Sequence, residues 1–133
     1  MIDYDAYIAD YNLNDDRRTA GRWYAPDIVV IDGFRKMEGR DRVLAFLLDG
    51  HDGVHETLLP TLVMKQDDCI FAELAIEFMP QRDRPDHPLG PLTKGAAVKM
   101  IFFARYRIVR GMISELRLAY WPPNSFVEYL TLN

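Results

Sequence analysis

From Cys69 onward the chain alternates. CIFAELAIEFM sets Ala72, Leu74, Ile76 and Phe78 against Glu73, Ala75 and Glu77, the period of a strand with one face buried. VKMIFFARYRIV and MISELRLAYW extend the pattern on either side of Arg110-Gly111, which reads as a hairpin turn, with Met112, Ser114, Leu116, Leu118 and Tyr120 sharing a face. VHETLLPTLVMK adds a strand before the turn Gln66-Asp67-Asp68, with His55, Thr57, Leu59, Thr61 and Val63 on one side. Strands this long, joined by turns alone, pair antiparallel, and their shared apolar face has to be covered by something else in the chain.

The cover is the N-terminal part. Tyr4, Tyr7, Ile8 and Tyr11 recur at helical spacing, which predicts a helix over residues 3–14 with a tyrosine-rich inner face. Asn14-Asp15-Asp16 caps a second helix that turns Ala20, Trp23 and Tyr24 inward and ends at Pro26. DIVVID is a strand, Gly33 and Gly39 bracket a turn, and GRDRVLAFLLDG gives a third helix with Val43, Phe46 and Leu47 on one side. Asp41 sits in its first turn, where the helix dipole favours an acid. Pro122-Pro123 stops the last strand, and NSFVEYL can form one or two helical turns. The expected architecture is one α+β domain spanning 1–133, a curved antiparallel sheet wrapped as a cone around three helices with a cavity between them.

At 133 residues, about half of them hydrophobic, such a domain buries a core without staples. The net charge is −4 and no Lys/Arg cluster breaks the apolar segments, so neither nucleic acid nor an anionic membrane is an expected partner. A single cysteine, Cys69, cannot form an internal disulfide and suits a reducing cytoplasm; as a small hydrophobe near a strand start it reads as structural. MIDYDAYIAD has no signal-peptide pattern, and no apolar run is long enough to span a membrane. No H-x-H or Cys/His cluster suggests a metal, and no cofactor is expected. The loop PQRDRPDHPLGPLTKG, residues 80–95, holds four of the eight prolines, which makes it irregular and either functional or mobile.

Asp32 ends the strand DIVVID. Ile28, Val30 and Asp32 share a face, and two readings of the acid stand: a turn carboxylate in Asp32-Gly33, or a desolvated general base facing the cavity. His55 is either an acid–base group or a satisfied, half-buried histidine beside Glu56. His51 and His87, in GHDG and PDHPLG, read as solvated loop residues. Tyr7 and Tyr11 are candidate donors to a substrate oxygen, with Tyr24 and Tyr120 as further polar-tipped aromatics. Leu74, Ile76 and Phe78 on one strand, Met100 and Phe102 on the next, and Leu116 and Leu118 on the last give a greasy wall for a ring-sized apolar substrate. Glu73 and Glu77 are expected on the outer face, paired with Arg105 and Arg107.

The order helix–helix–strand–helix–strands, with YAPDIVVIDG closing the helical part, resembles the nuclear transport factor two-like superfamily, also called SnoaL-like or cystatin-like α+β. YIADYNLNDDR, APDIVVID, His55, PQRD, KGAAV, YRIVRG and WPPN run in step with scytalone dehydratase. Tyr7 and Asp32 line up with the donor tyrosine and general-base aspartate of ketosteroid isomerase. The resemblance implies acid–base chemistry with Asp32, His55, Tyr7 and Tyr11, in a dehydratase or an isomerase/cyclase acting on a small hydrophobic carbonyl or ring compound. It also implies a homodimer through the outer sheet face. Met100 and Phe102 stand where scytalone dehydratase has polar residues, which favours the alternative of a non-catalytic binding or assembly module.

Overall fold

In a computed structural model that describes residues 1–125, three helices lie against one face of a six-stranded sheet. The elements run α1 (Tyr4–Asn12), α2 (Asp16–Trp23), β1 (Tyr24–Asp32), β2 (Arg35–Glu38), α3 (Arg40–Gly50), β3 (Val54–Gln66), β4 (Cys69–Pro80), β5 (Val98–Val109) and β6 (Met112–Tyr120). The architecture is α+β, as expected. Phe126 and the rest of the short C-terminal helix expected over NSFVEYL lie outside the described residues. No helix among the described residues is long and apolar enough to cross a membrane.

Asp3 caps α1 by accepting from the Ala6 amide at 3.1 Å, and Asp15 caps α2 by accepting from Arg18. Asp10 ties the two helices together. Its Oδ2 accepts from Trp23 Nε1 and from Arg22, each at 2.8 Å. The Trp23 hydrogen bond, aided by the Arg22 and Arg18 charges, holds the Asp10 carboxyl below its ordinary value despite burial.

Strand order across the sheet is β2-β1-β6-β5-β4-β3. Four of the five pairings are antiparallel; β1 runs parallel to β6, with Asp32 opposite Leu118. The sheet is thus mostly antiparallel, as expected; the one parallel pairing, β6 against β1, arises because the chain runs to the far edge and comes back strand by strand, which no local pattern encodes. Residues 35–38, expected to be turn, form the short edge strand β2, and Tyr24 opens β1 instead of closing α2.

Inner-face positions follow the alternation on β1, β4 and β5, where Ile28, Val30, Leu74, Ile76, Met100 and Phe102 are all buried. On β6 the register shifts between Arg107/Glu115 and Ile108/Ile113, so Ile113 and Leu116 both turn inward and the uninterrupted face from Met112 to Tyr120 does not form. On the outer face Arg105 and Arg117 both reach Glu115, at 2.9 and 2.8 Å, so Arg105 pairs within the β5–β6 hairpin and not with Glu73. Arg107 lies 3.9 Å from Asp68.

β3 is an edge strand, and asparagines fill its open side. Asn12 exchanges two hydrogen bonds with the Leu58 backbone, at 2.7 and 2.9 Å, and Asn14 does the same with Glu56, at 2.8 and 2.9 Å. Asn14 reaches this position with φ +57, a left-handed conformation asparagine tolerates. Two residues further on, the same edge carries Pro60, which has no N–H to leave unpaired.

Candidate functional site

Between the helices and the sheet lies a cavity of about 130 Å³. For comparison, an engineered apolar cavity of about 150 Å³ takes up benzene, so the space is ring-sized. Its walls are largely apolar. Tyr7 and Tyr11 enter from one face of α1, four residues apart, and Val43, Phe46 and Leu47 from α3. Leu74, Ile76, Phe78, Phe102, Leu116, Leu118 and Tyr120 close the sheet side as the alternation predicts, and Tyr24 opens β1 at the same cavity. Met100 is fully buried on the inner face, opposite Ile76, but packs in the core and does not line the cavity.

Asp32 is buried and faces this space, so its carboxylate is not a solvated turn acid. β1 and β2 form a hairpin closed by the Asp32–Arg35 pair across the turn Gly33-Phe34. Arg35 Nε lies 3.3 Å from Asp32 Oδ1, close enough for an ion pair, yet the N–H is not aimed at the oxygen and neither atom completes a hydrogen bond. Desolvation lifts the Asp32 carboxyl above its ordinary value, and the Arg35 charge opposes this only in part.

Tyr7 and Tyr24 hydroxyls meet at 2.9 Å, and Tyr4 and Tyr106 at 3.0 Å. One phenol in each pair keeps a spare proton. Burial pushes all four phenols well above their ordinary value, so these groups stay neutral donors.

His55 does not reach the cavity. Strand β3 starts at Val54, paired with Pro80, and Val54, Glu56 and Leu58 turn inward, which sends His55 to the other side with its Nε2 3.4 Å from Asn14. The inward polar residue is Glu56, one position on. Glu56 Oε1 accepts from the Tyr11 hydroxyl at 2.7 Å and lies 2.6 Å from His51 Nε2, while His51 Nδ1 lies 2.8 Å from Asp16. Burial alone would pull His51 down; the hydrogen bonds to Asp16 and Glu56 and their charges outweigh it and raise the group to about 9. At neutral pH the cluster is a buried chain in which a protonated His51 bridges Asp16 and Glu56.

His51, expected in solvent, is the C-cap of α3 and lies on the face of Val43 and Leu47. The spacing 43, 47, 51 carried that signal, hidden by glycine and aspartate neighbours that read as loop. His87 is also buried: its Nε2 donates to Gly50 O at 2.8 Å, and its Nδ1 accepts from the Leu89 amide at 3.1 Å. The proline-rich loop therefore covers the cavity, lining it with His87, Pro88 and Leu89.

No family model matches the sequence, and no curated protein does. Solved structures do. A candidate polyketide cyclase from Xanthomonas campestris superposes with a TM-score of 0.75 at 19% identity, over 95% of this chain and 90% of that one. An NTF2-like protein of unknown function from Burkholderia pseudomallei gives 0.68 at 13% identity, over 95% and 90%. The chain has the nuclear transport factor two-like fold. An M. tuberculosis LEH-like epoxide hydrolase shares this nuclear transport factor two-like arrangement with a TM-score of 0.70 at 13% identity, over 89% and 79%. At such identities the likeness is one of fold, and the chemistry has to be argued from the side chains.

Proposed function

We propose that this is a cofactor-independent acid–base enzyme, of dehydratase or isomerase/cyclase type, acting on a small, largely apolar ring compound that carries a carbonyl. The observation that carries the reading is the placement of a desolvated Asp32 carboxylate in the same apolar cavity as the phenols of Tyr7 and Tyr24. Asp32 takes a proton from the carbon next to the carbonyl, and the electron pair moves to the carbonyl oxygen. The spare phenolic proton of the Tyr7–Tyr24 pair hydrogen-bonds the enolate oxygen that forms. Double-bond migration and loss of water both proceed from that intermediate. Solved neighbours described as a cyclase and an epoxide hydrolase agree with a cavity that handles small oxygenated molecules.

A panel of small cyclic ketones in deuterium oxide tests this by NMR of the α-carbon protons. Wild type should exchange them, and Asp32→Asn should slow exchange roughly 10²–10⁴-fold with the thermal transition retained, since the amide keeps shape and loses basicity. Exchange insensitive to Asp32→Asn would remove the catalytic role. The second reading, a non-catalytic binding module, draws on one observation: both ring nitrogens of His51 are already engaged by Asp16 and Glu56, so that cluster is internally satisfied.

A further inference from the structure

Arg35 lines the cavity with its bonding capacity largely unused among the described residues. It stands at the cavity wall with about a third of its side chain exposed (29%), so it is at the mouth and not in the core. Its guanidinium is stacked over the rings of Phe46, at 4.8 Å, and Phe34, at 5.5 Å. A cation held over aromatic rings in this way is attracted to their faces without using up its N–H donors. Nε is buried without a hydrogen bond, and the two terminal nitrogens make none among the described residues. An arginine has five donors; among the described residues its one ion-pair contact is Asp32, which is badly aimed.

Resting on the acid–base reading above, we propose that Arg35 selects the substrate by binding a planar oxyanion, a carboxylate carried on the ring-sized apolar body that fills the cavity. A carboxylate matches the two outer N–H groups of a guanidinium as a fork, which a neutral carbonyl or a hydroxyl cannot do. Phe34 fits the same reading. Its ring is 87% exposed at the tip of the β1–β2 turn, where a large apolar side chain gains nothing unless it covers something, and it lies against the proposed anchor. Binding has a chemical consequence: a second anion on Arg35 weakens its hold on Asp32, so the base becomes stronger when, and only when, the correct substrate is seated. Arg35 acts here as a binding and positioning residue; Asp32 does the proton transfer.

Three probes of one shape separate the alternatives: benzoate, the neutral benzamide and the cationic benzylamine, titrated calorimetrically into the intact protein. Wild type should bind benzoate at least roughly tenfold more tightly than benzamide. Arg35→Gln should bring the two within about twofold of each other, and Arg35→Lys should restore only part of the preference, since a point charge lacks the fork. Equal binding of benzoate and benzamide by wild type, a preference for benzylamine, a preference that survives Arg35→Gln, or no binding of any probe would each overturn the proposal. The two readings fail separately. Benzamide binding without carboxylate preference, alongside Asp32-dependent exchange, removes only the oxyanion site; benzoate preference without Asp32-dependent exchange removes only the catalysis.

Discussion

Charge inside the cavity wall is settled one residue at a time. His51 keeps its proton in the folded state up to about pH 9, against an ordinary value of 6.5. A group raised in this way stabilises fully below pH 6.5 and loses that contribution as the pH climbs through 9. The thermal midpoint should therefore fall between pH 6.5 and pH 9, by the equivalent of about 3 kcal/mol at most. His51→Gln should flatten the profile in that window at the expense of a lower midpoint at pH 6.5; a wild-type profile already flat there would show that the imidazolium is not held between Asp16 and Glu56. Tyr11→Phe removes one of the two donors to a buried Glu56 oxygen and should cost about 1–3 kcal/mol by chemical denaturation. Asp32 was legible because four β-branched neighbours fixed the strand and its parity. His55 and Glu56 were not, since adjacent strand residues exchange faces with a one-position shift of register, and that register is set by Val54 meeting Pro80 across the sheet.

Among the elements, the proline-rich stretch after β4 behaves unlike an ordinary loop. Arg84, buried in it, donates to the carbonyls of Asp49 in the last turn of α3 and of Asp52 just past it, and His87 reaches the Gly50 carbonyl. A buried cation at a helix C-terminus satisfies orphan carbonyls and complements the dipole. The loop and the end of α3 are thus one unit, and His51 caps that end. Arg84→Met should destabilise by about 2–4 kcal/mol, because several buried acceptors lose their donor at once, and should speed amide exchange in both residues 84–92 and the last turn of α3. Faster exchange in the loop alone would mean that the two are not coupled. Prolines foretold the irregularity of this stretch. Its anchoring could not be read, because Arg84 and His87 find their partners more than thirty positions back, and charged residues beside proline resemble any solvated turn. The same holds for β1 beside β6: each strand's pattern is plain, while their parallel contact depends on the path of the whole chain.

At the scale of the molecule, alternation plus three amphipathic helices was enough to specify the α+β arrangement, since a long sheet with one apolar face has few ways to cover it. How copies of the molecule meet is a proposal: a homodimer through the outer sheet face, where Phe71, Phe103 and Trp121 form an aromatic row at ring distances of 5.7 and 5.2 Å. Sedimentation equilibrium should return twice the chain mass, and Phe103→Glu should halve it; a wild-type monomer at high micromolar concentration would sink the dimer. The asparagines on β3 bear on a different kind of encounter. By occupying the amides and carbonyls of residues 56 and 58, Asn12 and Asn14 impersonate a neighbouring strand, and a strand that already has a neighbour cannot template another. Beyond them the same segment exposes Leu59, Leu62, Val63 and Met64, the makings of a fibril spine if the decoy is lost. Two side-chain amides then guard the boundary between a discrete particle and an open-ended polymer. Asn12→Ala/Asn14→Ala should seed thioflavin-positive aggregates faster than wild type, at temperatures where its fold is still intact.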